Sequence, residues 1–350
     1  MNKNRRMRAL KVIGILAVLA LTACSRNEQV GDLYPIALAP QVRTLKSGAG
    51  ADVNKTTNDN IIDAPMGVFG IYNNISFETA SGSNVFPTSD AQMVGYDSAQ
   101  SKWVYSPVQN WQINRFYRFR AFHPYGGAAI NLQSSDADDM IIGYSVAAGN
   151  EDLLVAFKEV EATIEAIRQP VSFDFAHALS GLKFEIAFKN ISDIEDDYSD
   201  YLENFYLTGL TGTGTLHYTH EEGTLLTPRM IWYALAYDTD SKFYEWSADK
   251  GTFGKQFYKA GQKSPTMVFD GNDNMVYAVP QTRKANSQPT KVYFKTRSGG
   301  DAYQSVTLPD IDWKPGKIYV YSLLVNKSDI DIVLTIKDWS ELQSNVNIYL

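Results

Sequence analysis

Few residues in this 350-residue chain are of the types that make or break bonds, and their spacing decides what chemistry is open to it. There is one cysteine, Cys24. With no second thiol, an intramolecular disulfide is excluded, and so is a cysteine-based zinc site. His217 and His220 stand three apart beside Glu221 and Glu222, which on a helix would suggest a metal site. The stretch around them is rich in Gly and Thr and is expected as a strand, where positions 217 and 220 point to opposite faces. His177 is isolated in another strand-like run and is expected to be a hydrogen-bonded core residue. Asp270-Gly-Asn-Asp-Asn274 looks like a calcium loop but lacks its spacing and terminal Glu, so it is assigned to a turn. Glu195-Asp196-Asp197 is expected in a solvated loop. No Gly-x-Ser-x-Gly elbow, phosphate loop or His-Glu-x-x-His occurs. The chain is therefore expected to be no enzyme and to need no cofactor and no metal.

What Cys24 can do depends on what precedes it. Lys3, Arg5, Arg6, Arg8 and Lys11 come without an acidic residue, and residues 12–21 are all apolar or small. A charged region followed by a short apolar run is the pattern of a cleaved export signal. The run is too short to span a bilayer, which takes about 20 apolar residues. Leu21-Thr22-Ala23-Cys24 resembles the lipobox of bacterial lipoproteins. That resemblance implies a signal peptide over residues 1–23, cleavage before Cys24, a diacylglyceryl thioether on its sulfur and an acyl chain such as palmitate on its amine. Such chains make a stable anchor, each buried methylene contributing about 0.8 kcal/mol. Removing residues 1–23 leaves 327 and takes five positive charges with them, so the formal charge of −7 becomes −12. So acidic a body argues against nucleic-acid binding, which relies on a basic footprint.

The elements that carry these residues are expected to be strands. Tyr, Phe and Trp make up 13% of the chain and lie among Val, Ile and Thr in short alternating runs cut by Gly, Asn, Asp and Pro. That texture predicts an all-β chain of antiparallel sheet. After a tether over residues 24–34, Ile36, Leu38, Pro40 and Val42 share one face of a strand over residues 35–43. Pro40 cannot donate to a ladder, so this strand belongs at an edge. Residues 44–60 are expected to form a flexible loop. A first domain over 35–169 is expected to hold strands near 66–72, 92–96, 103–105 and 116–123. Residues 151–168 fit both a strand and one face of a helix, and Pro170 ends any helix there. The Gln169-Pro170 step is taken as the domain boundary. Over 170–350, Val171, Phe173 and Phe175 alternate, as do Leu182, Phe184 and Ile186. Further strands are expected at 204–210, 213–218, 230–237, 275–279, 290–296, 303–308, 317–325 and 330–337. Val346, Ile348 and Leu350 alternate once more at the end.

Asp152-Leu-Leu-Val-Ala156, Phe175-Ala-His-Ala-Leu-Ser-Gly-Leu-Lys-Phe184, Tyr277-Ala-Val-Pro-Gln281, Trp313-Lys-Pro-Gly-Lys-Ile-Tyr-Val-Tyr321 and Lys337-Asp-Trp339 resemble, in order, the landmarks of the fimbrillin-type major and minor pilins of Bacteroidetes. The resemblance implies two transthyretin-like antiparallel β-sandwich domains, export as a lipoprotein and assembly into surface fimbriae that support adhesion. It further implies removal of the N-terminal strand of a stalk subunit by an arginine-specific protease, and filling of the groove by a neighbour's C-terminal strand. In this sequence Arg43 is the position that matches the processing site. Ile36, Leu38 and Val42 mark the displaced strand, and Val346, Ile348 and Leu350 the donor. The partners implied are other fimbrial subunits, the outer membrane through lipid on Cys24, and host or bacterial surface receptors. The alternative is a surface lipoprotein that binds glycans on exposed aromatics such as Trp103, Trp111, Trp232 or Trp246, which would need a flat aromatic platform.

Overall fold

Alternating apolar residues and the near absence of helical periodicity are realised as strands. The computed structural model describes residues 33–42, 60–77, 82–87, 90–133, 140–188, 199–220, 228–234, 237–249, 254–259, 265–269, 275–325, 330–338 and 347–349. Among these the chain is all-β, interrupted only by two 3-10 turns at Ile61–Asp63 and Ala166–Arg168. Ladders are antiparallel except for three parallel pairs: Leu38–Val42 with Val171–His177, Ser180–Phe188 with Lys317–Val325, and Pro228–Ala234 with Asn347–Tyr349.

The first sheet runs in the order Leu38–Val42, Val171–His177, Leu154–Glu161, Phe116–His123, Met66–Asn73, Gln92–Asp97, Lys102–Val104. Its central strands Met66–Asn73 and Phe116–His123, and the start of Leu154–Glu161, are buried on both faces. Met66, Val68, Tyr117, Phe119, Ala121, Leu154 and Ala156 enter one core, while Phe69, Ile71, Phe122 and Val155 enter another. A strand covered on both faces loses the in-and-out contrast of a half-exposed one. This explains why residues 151–168, which also fit one helical face, instead form the strand Leu154–Glu161, paired with Phe116–His123 at eight positions, and only a single 3-10 turn.

The sheet also curls. Leu154–Glu161 and Val171–His177 pair only at Ala176↔Val155 and His177↔Leu154 and then diverge. Phe173 thereby reaches across to meet Phe119 edge-on, with ring centroids 6.3 Å apart. A cavity of about 360 Å³ opens where residues 158–161 and 169–172 part. Val171–His177, although it follows Pro170, thus belongs to the same sheet as the strands before it.

The second core joins sequence-distant strands. Met140–Ser145, a strand absent from the sequence expectation, pairs along Thr213–His220, which in turn pairs with Pro228–Ala234. Met140, Ile142, Tyr144, Leu216, Tyr218, Met230 and Trp232 cover the outer face of the first sheet. The third core lies between the sheet built on Ser180–Phe188 and Lys317–Val325 and the one built on Ser199–Thr208 and Lys291–Thr296. Phe184 and Phe205 meet there with centroids 5.1 Å apart, and fully buried Trp313 donates its indole N–H to the Tyr321 hydroxyl at 2.8 Å.

Two histidines sealed between these layers are each held through one ring nitrogen. His177 Nδ1 lies 3.0 Å from Asp152 Oδ1, both side chains buried, as the expectation of a hydrogen-bonded core histidine requires. His123 Nε2 faces the carbonyls of Ile61 at 3.1 Å and Ala64 at 3.2 Å. Burial pushes the His123 imidazole below its usual range, opposed by the Asp152 charge and by those two carbonyls. An unfolded chain therefore takes up a proton near the ordinary histidine value of 6.5 that the folded chain refuses. Stability is expected to fall as pH drops through that value and to level off below the folded pKa. Urea midpoints followed from about pH 7 to pH 5.5 should fall less for His123→Gln than for the parent chain. An identical fall in both would show that His123 does not carry the effect.

Candidate functional site: the N-terminal strand and its groove

The N-terminal segment is held on both flanks. At its start, Trp111 N donates to Tyr34 O at 2.8 Å, Ile36 N to Gln109 O at 2.9 Å, and the Tyr105 hydroxyl to Ile36 O at 2.9 Å. From residue 37 the partner changes sides. Val171 N donates to Ala37 O at 2.7 Å, and the register continues Leu38↔Val171, Pro40↔Phe173, Val42↔Phe175. The segment is thus stitched first to the loop that follows Lys102–Val104 and then to Val171–His177, and it closes the curled sheet where its two ends approach. Pro40 lies on the edge strand of the sheet order, where its missing N–H is tolerated.

Alternation decides what the segment buries. Ile36 is 1% exposed and Leu38 4%, while Ala37 and Gln41 face solvent. Beside them, on the paired strand, Val171, Phe173 and Phe175 enter the same core as Trp111, Tyr117 and Phe119, which line its floor. Trp111 stands edge-on to Tyr117 with centroids 4.6 Å apart, so the floor is rigid aromatic packing. Burying one Ile or Leu side chain contributes about 1.5–3 kcal/mol, so these two side chains supply most of the segment's hold. The groove combines apolar side chains with one backbone edge, and an extended strand of the chain itself occupies it.

The other expected site residues are distributed as follows. Cys24, Arg43, Val346 and Leu350 lie outside the described residues, as do Glu221, Glu222 and residues 270–274. Ile348 falls in Asn347–Tyr349, which adds in parallel to the edge of Pro228–Ala234 opposite Met230. His217 packs edge-on against Tyr233 at 4.9 Å, and no group of metal-ligating side chains occurs among the described residues.

Among the described residues, Trp103, Trp111, Trp232 and Trp246 do not assemble a platform. Trp111 and Trp232 are buried, and the Trp232 indole N–H donates to Ala178 O at 2.8 Å. Trp103 packs against the first core, and Trp246 lies under the Lys255 ammonium, 4.8 Å from its ring centroid.

Residues that sequence reasoning missed are Tyr105 and Gln109, which hold the first flank, and Glu159. Burial raises the Glu159 carboxyl to about 7 against the opposing pull of Arg118 and Arg120. No periodic signal marks residues 106–111, and Tyr105 falls just past the end of the strand Lys102–Val104.

The family model described as fimbrillin-like matches residues 54–339. A fimbrial protein from Bacteroides vulgatus is 15% identical with a TM-score of 0.61, covering 87% of this chain and 99% of its own. A putative cell adhesion protein from Bacteroides ovatus is 15% identical with a TM-score of 0.52, covering 89% of this chain and 100% of its own. At such identities the likeness is one of fold. Comparison with curated proteins finds no match.

If Leu38 anchors the segment, Leu38→Ala should lower the unfolding free energy by about 2–4 kcal/mol in urea. Solvent-facing Gln41→Ala should change it by less than about 0.5 kcal/mol. Equal effects at the two positions would contradict the groove as described.

Proposed function

The chain belongs to the fimbrillin-like family, and from that premise we propose that it is a structural subunit of cell-surface fimbriae, without enzymatic activity, exported as a lipoprotein acylated at Cys24. The acyl chains place it in the outer membrane, and its work is association with other subunits and support of adhesion. The observation that carries this reading is the N-terminal segment. Its buried Ile36 and Leu38 fill a groove between two flanks, yet the chain joins it to the rest of the body only through residues 43–59.

A cut after Arg43 releases both the strand and the lipid attached upstream. The exposed groove then presents Val171, Phe173 and Phe175 together with one free backbone edge. A strand from a neighbour with apolar residues at every second position satisfies both, and residues 345–350 supply Val346, Ile348 and Leu350 in that pattern. Exchange costs little in principle, because the arriving strand makes the same kinds of hydrogen bond and apolar packing that the departing one gave up. The glycan-binding alternative gains no support from the buried and packed tryptophans.

N-terminal sequencing of purified fimbriae should give a chain beginning at Thr44. In cells carrying Arg43→Ala, polymer should be lost while lipidated monomer remains. A subunit that still begins at Cys24 within the fibre would rule out the stalk role, and a polymer indifferent to Arg43→Ala would point to an anchor that keeps its first strand.

A further inference from the structure

The C-terminal sandwich has an open edge of unusual regularity. Ile330–Asp338 pairs with Lys317–Val325 over nine positions without a register shift. Its other edge carries no strand among the described residues. Proteins blunt such edges with proline, a bulge or short length. Here there is no proline, no bulge and a full nine residues, and of the usual devices only charge is present, at positions 331, 337 and 338. The inner face is also incompletely covered. Ile330, Ile332 and Leu334 are only partly buried against the core, Ile336 is 56% exposed, and a cavity of about 220 Å³ lies against Leu334, Ile336, Tyr319 and Tyr321.

The sequence of this edge is self-complementary over residues 331–337, while at its two ends Ile330 falls across from Asp338. When two copies run antiparallel about a two-fold axis at Leu334, position 332 falls across from 336, Ile against Ile, on the inner face. On the outer face position 331 falls across from 337, aspartate against lysine, twice in the pair, and Val333 falls across from Thr335. Opposite charges directly across a ladder stabilise it, and like charges oppose it. We propose that the Ile330–Asp338 edge pairs with the same edge of a second copy, joining two C-terminal sheets into one across an isologous interface. Each copy then covers the other's Ile336. This pairing leaves the N-terminal groove free and is independent of strand exchange, so it would join subunits side by side.

The test is a charge swap in the full chain carrying Cys24→Ser, which removes the candidate acylation site. Sedimentation equilibrium should show a concentration-dependent dimer for this parent. Asp331→Lys and Lys337→Asp should each weaken the dimer about tenfold or more, with circular dichroism and melting temperature showing each variant folded. The double swap Asp331→Lys/Lys337→Asp should restore the parent affinity. A chain that stays monomeric, or a dimer that ignores both single changes, overturns the proposal. Hydrogen exchange gives a second reading. Amides of 330–338 should gain protection with protein concentration, and protection that is independent of concentration would mean that the chain's own C-terminal residues cover the edge, which also overturns it.

Discussion

The constraint on which this structure turns is that the edge of Val171–His177 cannot be left bare. Its backbone groups need partners, and Val171, Phe173 and Phe175 need an apolar lid. On its other side the strand offers no relief, because its ladder with Leu154–Glu161 holds at only two positions before the strands diverge. The N-terminal segment supplies what is missing on both counts. In the sequence it is separated by residues 43–59 from the Ile61–Asp63 turn and the strands that follow.

The groove is also wired into the rest of the molecule by chain continuity. Val171–His177 leads through buried Ala178 and Leu179 directly into Ser180–Phe188, the central strand of the C-terminal sheet. That corner is pinned by Ala178 N donating to Leu153 O, by Trp232 donating to Ala178 O and by the Ser180 hydroxyl donating to Lys314 O, each at 2.8–2.9 Å. The His177–Asp152 pair sits in the same place. Whatever strand occupies the groove therefore rests on an element continuous with the corner where the first two cores meet.

Much of this was legible in the sequence, and the exceptions have physical causes. Half-buried strands such as those at Ile36/Leu38, Leu182/Phe184/Ile186 and Ile332/Leu334 announce themselves by alternation, and Pro40 announces an edge. Strands covered on both faces do not. Arg118 and Arg120 alternate with apolar residues and look solvent-facing, yet they are 7% and 1% exposed because the sheet containing Met140–Ser145 lies over that face. Met140–Ser145 itself is a short, continuously apolar run around Gly143, and its role in joining the two halves comes from a partner some seventy residues away. The site shows the same division. The strand that fills the groove was visible from its own pattern, whereas its loop flank at Tyr105 and Gln109 was not.

Whether Val171–His177 needs a strand on its open edge and accepts a foreign one is tested directly by hydrogen exchange of its amides. The amides are followed in the intact chain, after cleavage at Arg43 with removal of the released segment, and after addition of a peptide matching residues 343–350. Protection should be present, then lost, then restored, and the peptide carrying Ile348→Asp should fail to restore it. Amides that stay protected once the segment is gone, or that recover equally with either peptide, would contradict strand exchange at this groove.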